Sequence, residues 1–268
     1  MSAEAEAAPT TGTETGHMTL MEHIAELRTR ILRVIIALAI AAVIAWFLYQ
    51  PILDLLLGPL RETAPDKSLQ ESLITTEPLQ PFQTRIKITT YTAIALAMPV
   101  ILWQIWRFVA PGLYENERKY GVVFISIGSA LFASGAAIAF WTMPKALEFL
   151  QTIGGEENFT QFYTPTSYLR LIVYMMLAFG IGFEFPLIVT TLNLVGAVTT
   201  DTLRRIRRYV VVIVAIFVAV ATPSGDPISM LALTLPMCIL YEVSILIGRI
   251  RDRRKRKADE AEAAAATR

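Results

Sequence analysis

Residues Leu171–Thr200 read LIVYMMLAFGIGFEFPLIVTTLNLVGAVTT, a run in which Glu184 is the single charged residue. A bilayer core about 30 Å thick is crossed by about 20 apolar residues in a helix, so this run is long enough to span it. The fold implied is all-α. A carboxylate at that depth costs on the order of several kcal/mol unless it faces protein or water, which makes Glu184 a candidate functional group. The competing reading is a Glu hydrogen-bonded inside a helix bundle for purely structural reasons.

Composition extends this reading to the whole chain. Hydrophobic residues make up 54% and charged residues only 18%, the balance of an integral membrane protein. Further apolar runs occur at Val34–Leu53, Ile88–Trp106 and Tyr120–Met143, and after Pro227 to about Gly248. Tyr209–Thr222 is shorter, reaching only ~21 Å as a helix, which implies local thinning of the bilayer or burial behind neighbours. Six transmembrane helices are expected. Pro99, Pro186 and Pro236 fall inside these runs and should bend their helices into a concave bundle. Gly121, Gly128 and Gly135, at every seventh position, offer a smooth stripe for close helix packing or for subunit contact.

The formal charge of +1 conceals segregation. Arg28, Arg30 and Arg33 precede the first run. Arg107, Arg118 and Lys119 follow the second, and Arg204, Arg205, Arg207 and Arg208 follow the fourth. Arg249, Arg251, Arg253, Arg254, Lys255, Arg256 and Lys257 follow the last. The alternate loops hold only Arg61, Lys67 and Lys145, with Arg85, Lys87 and Arg170 at span edges. The positive-inside rule then puts both termini in the cytoplasm, and topology is the ordinary explanation of every cluster.

Residues 1–17 are small and polar and expected to be disordered, 18–248 form one membrane domain, and 249–268 form a basic, then Ala/Glu-rich tail whose end, Ala258–Arg268, is expected to fray. The first apolar run reads as a retained anchor, because it is too long for the core of a cleaved signal peptide. Ahead of it, Leu20, Ile24, Leu27 and Ile31 make one apolar helix face, with Glu26 and Arg30 spaced for a helical ion pair. This is expected to be a short amphipathic interfacial helix. The outer loops, Pro51 to about Gln83 and Pro144–Ser167, carry enough apolar residues to form an ordered cap.

Covalent chemistry finds no apparatus. There is no nucleotide-binding Gly-rich loop, no histidine within the membrane and no His-Glu-x-x-His. Cys238 is the only cysteine, and His17 and His23 are the only histidines. An enzyme, a bound metal and a cofactor are therefore not expected.

Four separated motifs carry a resemblance. Glu22-His23-Ile24-Ala25-Glu26-Leu27-Arg28-Thr29-Arg30, Phe108-Val109-Ala110-Pro111-Gly112-Leu113-Tyr114-Glu115-Asn116-Glu117-Arg118, Phe179–Pro186, and Ala221-Thr222-Pro223 with Asp226-Pro227 together resemble the TatC family. That family supplies the receptor subunit of the twin-arginine protein translocase. The resemblance runs in family order from about Met21 to Gly248. One departure is Ser224-Gly225 where the family often has a second proline, so Asp226 corresponds less directly than Glu184.

The resemblance implies binding of the twin-arginine signal peptides of folded precursors. It also implies recruitment of TatA/TatB-type single-span subunits, self-association in a larger complex, and proton-motive-force-driven export across a prokaryotic cytoplasmic membrane. No nucleic-acid partner is expected. Glu26 and Glu117 are the implied signal-peptide carboxylates, a suitable chemistry because guanidinium forks onto carboxylate oxygens as lysine cannot. Arg28 would shape the site, Phe108 and Leu113 would position its loop, and Glu184 would make an intramembrane polar contact with a partner or signal peptide. Phe82 and Asp226 also match family positions. The alternatives are a small proton- or ion-coupled transporter using Glu184, which lacks the expected repeats, and a scaffold for other membrane proteins.

Overall fold

The computed structural model describes residues 20–63, 77–109, 121–153, 165–222 and 225–266, and every regular element among them is an α-helix. In chain order these are α1 (Leu20–Phe47), α2 (Tyr49–Leu56), α3 (Gly58–Thr63), α4 (Gln80–Val109), α5 (Gly121–Ile153), α6 (Pro165–Val195), α7 (Thr200–Ala221) and α8 (Pro227–Ala266). Helices α1, α4, α5, α6 and α8 each contain a stretch long and apolar enough to cross a membrane. The chain is an all-α, polytopic membrane protein. Residues 1–17, expected to be disordered, lie outside the described residues.

Helix α7 carries the short apolar run that begins at Tyr209, and it is not among the five described helices long and apolar enough to cross a membrane. It has 22 residues, but its first turns carry Asp201, Arg204, Arg205, Arg207 and Arg208, so only its second half is apolar. Its burial is one-sided. Val210, Val214 and Val218 face the protein at a four-residue spacing, while Val212, Ile213, Ile216 and Val220 face outward.

Helix α6 is the central element, packed along α5 and against α8, and α1 is peripheral, lying along α4. The main core joins Met143 and Leu147 of α5, Phe179 and Phe183 of α6, and Leu233, Met237 and Tyr241 of α8. Small residues set the spacing elsewhere, as Ala41 of α1 meets Ala93 and Ala97 of α4. The glycine stripe of α5 works the same way. A Cβ on Gly121 would stand 2.6 Å from Trp106 Nε1, one on Gly128 would stand 2.6 Å from Leu102 Cδ1, and one on Gly135 would strike the carbonyl of Phe179.

Three boundaries differ from the sequence expectation. Helix α5 continues through Pro144 to Ile153, because Ala146 and Leu147 bury completely and outweigh the one hydrogen bond that the proline removes. Helix α8 continues through the basic tail to Ala266, where Arg256 and Glu260 pair one turn apart at 3.5 Å. The amphipathic segment and the first span are one unbroken helix, α1. Its segment from Ile24 to Ile31 turns those apolar residues outward and buries Arg30, the inverse of a soluble helix.

Of the expected cap, α2 and α3 are seen, with Leu56 and Leu57 buried and Tyr168 donating to the carbonyl of Leu56 at 2.6 Å. Phe159, Phe162 and Tyr163 of the second outer loop lie outside the described residues.

Candidate functional site

Cross-helix contacts gather the arginine clusters at one end of the protein. Arg30 of α1 donates to the carbonyl of Arg107 at the end of α4 at 2.9 Å. Trp106 packs at a tilt against Phe124 at the start of α5, their ring centroids 4.7 Å apart. Arg251 of α8 donates to the carbonyls of Asn193 and Leu194 at the end of α6, at 2.8 and 2.7 Å. Gly248 of α8 sits where a Cβ would meet Thr200, the first residue of α7. Leu102 of α4 and Leu187 of α6 both crowd Gly128 of α5, which ties the two halves of this end together.

At that end the carboxylate of Glu26 is part-buried and held by the guanidinium of Arg30, one helical turn on. The pairing follows from the i,i+4 spacing read in the sequence. The second bond of Arg30, to Arg107, brings Glu26 to the C-terminal carbonyls of α4, which lack helical partners of their own. Phe108, part-buried, occupies the last turn of α4. Arg28 is exposed on α1. Glu26, Arg28 and Phe108 therefore share one end of the α1–α4 pair. Leu113 and Glu117 lie outside the described residues. Chemically, the arrangement is a carboxylate at a membrane edge already shown to accept a guanidinium.

Glu184 lies on α6, eleven residues before its last, or about 16 Å along the helix, close to mid-bilayer. Only 5% of it is exposed, and neither carboxylate oxygen has a hydrogen-bond partner among the described residues. It faces the glycine stripe, with Oε2 3.2 Å from where a Cβ on Gly128 would sit. A carboxylate so placed needs a proton, water or a further polar group.

The other two family-matched residues are at the opposite end. Phe82 is exposed on the first turn of α4. Asp226 is buried, and its Oδ1 accepts from the backbone N–H of Ser229 at 2.6 Å. It caps the first turn of α8, with Pro227 as the first helical residue and Gly225 turning the chain at φ +59°.

Sequence reasoning missed the clamps. Arg251 on the C-terminus of α6 and Arg85 stacked 4.2 Å over Trp46 both looked like topology charges. The available signal was Asn193-Leu194-Val195-Gly196, where Gly196 at φ +84° marks a helix end whose carbonyls want a cation. Among the described residues no cluster of His, Cys, Asp or Glu could hold a metal ion.

Comparison with known proteins agrees with this architecture. The family model of the Sec-independent protein translocase protein TatC matches residues 22–236. The TatC of Frankia casuarinae is 38% identical over 250 residues, covering 90% of this chain and 68% of that one. The TatC of Xylanimonas cellulosilytica is 35% identical over 237 residues, covering 88% and 86%. The TatC of Aquifex aeolicus is 32% identical, covering 91% and 100%. A crystal structure of the twin-arginine translocase receptor TatC in DDM superposes with a TM-score of 0.71 at 32% identity, covering 85% of this chain and 99% of that one.

Proposed function

Because the chain belongs to the TatC family of Sec-independent protein translocase proteins, we propose that it is the core receptor subunit of the twin-arginine translocase. It binds twin-arginine signal peptides and recruits TatA/TatB-type subunits for proton-motive-force-driven export of folded proteins. It acts in the cytoplasmic membrane of a prokaryote. Helix α7 serves as the sixth span, the arginine-rich end faces the cytoplasm with both termini, and the chain performs no catalysis of its own.

One observation carries the recognition step: Glu26 holds a guanidinium beside the C-terminus of α4. An arginine pair arriving from the cytoplasm would find there a carboxylate whose geometry suits a planar fork, with Glu117 supplying the second acid. Charge-assisted guanidinium–carboxylate bonds are about twice as strong as neutral ones, and lysine does not reproduce their fork. Arg28 shapes the approach, while Phe108 and Leu113 fix the loop that carries Glu117. Glu184, short of partners within its own chain, offers a polar residue to a transmembrane helix of a partner subunit.

Site-specific photocrosslinking tests this. Crosslinkers placed at positions 26 and 117 in native membranes are offered a precursor bearing Arg-Arg or its Lys-Lys counterpart. The receptor reading expects adducts with Arg-Arg alone. Equal adducts with both, or none from either position, would remove recognition from this end of the protein.

A further inference from the structure

A second cluster of basic residues at the arginine-rich end lies away from Glu26. Between the start of α7 and α8 opens a cleft of about 470 Å³. Arg204, Arg205 and Arg207 line it from α7 and Arg249 from α8, against the acids Asp201 and Glu242. Internal pairing uses up part of this charge. Arg207 Nε lies 2.5 Å from Glu242 Oε1, and Arg204 approaches the exposed Asp201 only to 3.7 Å. Arg205 and Arg249 have no carboxylate partner among the described residues, so two guanidinium groups converge on the cleft with their donors unspent. The first turn of α7 adds the positive end of a helix dipole to the same place.

Such an arrangement suits a phosphate. Arginine forks onto phosphate oxygens through paired N–H donors, and Arg205 and Arg249 bring two such groups from different helices to one cleft. The surroundings favour a phosphate attached to apolar chains. Seven and eleven residues beyond Arg205, on its side of α7, Val212 and Ile216 are exposed, and on α8 Ile239 and Leu235 are exposed three and seven residues before Glu242. The cleft thus sits where headgroups lie, above two apolar tracks on which acyl chains can rest. Basic pockets between membrane helices are sites at which anionic headgroups are held.

We propose that the cleft between the arginine-rich ends of α7 and α8 is a binding site for the phosphate-bearing headgroup of an anionic phospholipid. Free phosphate shares the headgroup's recognition chemistry but not its use of the apolar tracks.

The test is native mass spectrometry of the full chain in neutral detergent. The protein is titrated with phosphatidylglycerol, phosphatidylcholine or inorganic phosphate. The expected result is one tightly retained phosphatidylglycerol that phosphatidylcholine does not replace. Arg205→Gln/Arg249→Gln should weaken it by on the order of tenfold or more. Arg205→Lys/Arg249→Lys should recover part of the affinity and controls for misfolding. Arg253→Gln/Arg254→Gln, the same charge loss on the exposed stretch of α8 beyond the cleft, should leave it unchanged. Three results would each overturn the site: equal binding of phosphatidylcholine, equal weakening by the distal pair, or inorganic phosphate binding as tightly as the lipid.

Discussion

Arg30 Nη2 donates to the main-chain carbonyl of Arg107 at 2.9 Å while the same guanidinium holds Glu26. One side chain therefore fixes the candidate recognition carboxylate to the C-terminus of a neighbouring helix, and joins the otherwise peripheral α1 to α4 at this end. The arginine is buried, and its Nε and Nη1 find no partner among the described residues. The position is held by geometry at an electrostatic cost, which is the pattern of a site built for positioning.

Arg30→Gln should destabilise the protein by about 2–4 kcal/mol, since it breaks a largely buried charge pair and frees the carbonyl of Arg107 at once. Chemical unfolding in detergent measures this. A loss below about 0.5 kcal/mol would mean that α1 is held by its alanine contacts alone.

Glu26→Gln tests binding beside folding. Arg30 keeps the carbonyl of Arg107 and a neutral amide can still accept a hydrogen bond from it, but the buried guanidinium loses its counter-charge, so stability should fall by about 2–4 kcal/mol, as for Arg30→Gln. Affinity for a fluorescent Arg-Arg signal peptide should fall at least about tenfold, the worth of one charge-assisted bond. Anisotropy titrations at low and high salt report it. Unchanged affinity would move recognition away from α1.

The glycine stripe of α5 makes a graded prediction. Gly135→Ala sets a methyl against the backbone of Phe179, which cannot swing aside, whereas Gly128→Ala meets only side-chain atoms, the ends of Leu102 and Leu187 and Oε2 of Glu184. Overpacking costs about 1–3 kcal/mol, so Gly135→Ala belongs at or above the top of that range and Gly128→Ala at the bottom. Thermal unfolding of both variants in one detergent checks the order. A reversed order would mean that α5 and α6 separate more readily than their side chains rotate.

That stripe shows what could be read in advance and what could not. Five of the six expected spans were legible because a bilayer demands long apolar runs, and the glycine repeat because it needs only counting along one helix. The pairing of Glu26 with Arg30 was legible for the same local reason. The bonds from Arg30 to Arg107 and from Arg251 to Asn193 were not, since each joins residues far apart in the chain through a backbone carbonyl that any residue supplies. Ile24, Leu27 and Ile31 form the apolar stripe that would point inward in water, but they face outward here while Arg30 is buried. The end of α5 was misplaced because Pro144 is a strong local signal that tertiary burial of Ala146 and Leu147 overrides.

Asp226 should behave as a helix cap. Asp226→Ala removes the acceptor for the N–H of Ser229 and should cost about 1–2 kcal/mol, while Asp226→Asn, which keeps an oxygen there, should lose a few tenths. Equal losses in calorimetry would show that the charge matters beyond the cap.

Glu184 yields the least intuitive expectation. Its carboxylate is buried beside Gly128 and without a hydrogen-bond partner among the described residues, so within a single chain it is a burden. Glu184→Met fills a similar volume with no polar group to desolvate. It should raise the stability of the isolated protein by about 1–3 kcal/mol. Glu184→Gln should gain less, because the amide still wants partners. If the carboxylate instead serves a partner helix, the same Met variant should lose copurification of single-span subunits and export of an Arg-Arg reporter. The two assays must move in opposite directions. A Met variant that is less stable and still exports would return Glu184 to an ordinary structural role, its partners then lying within its own chain.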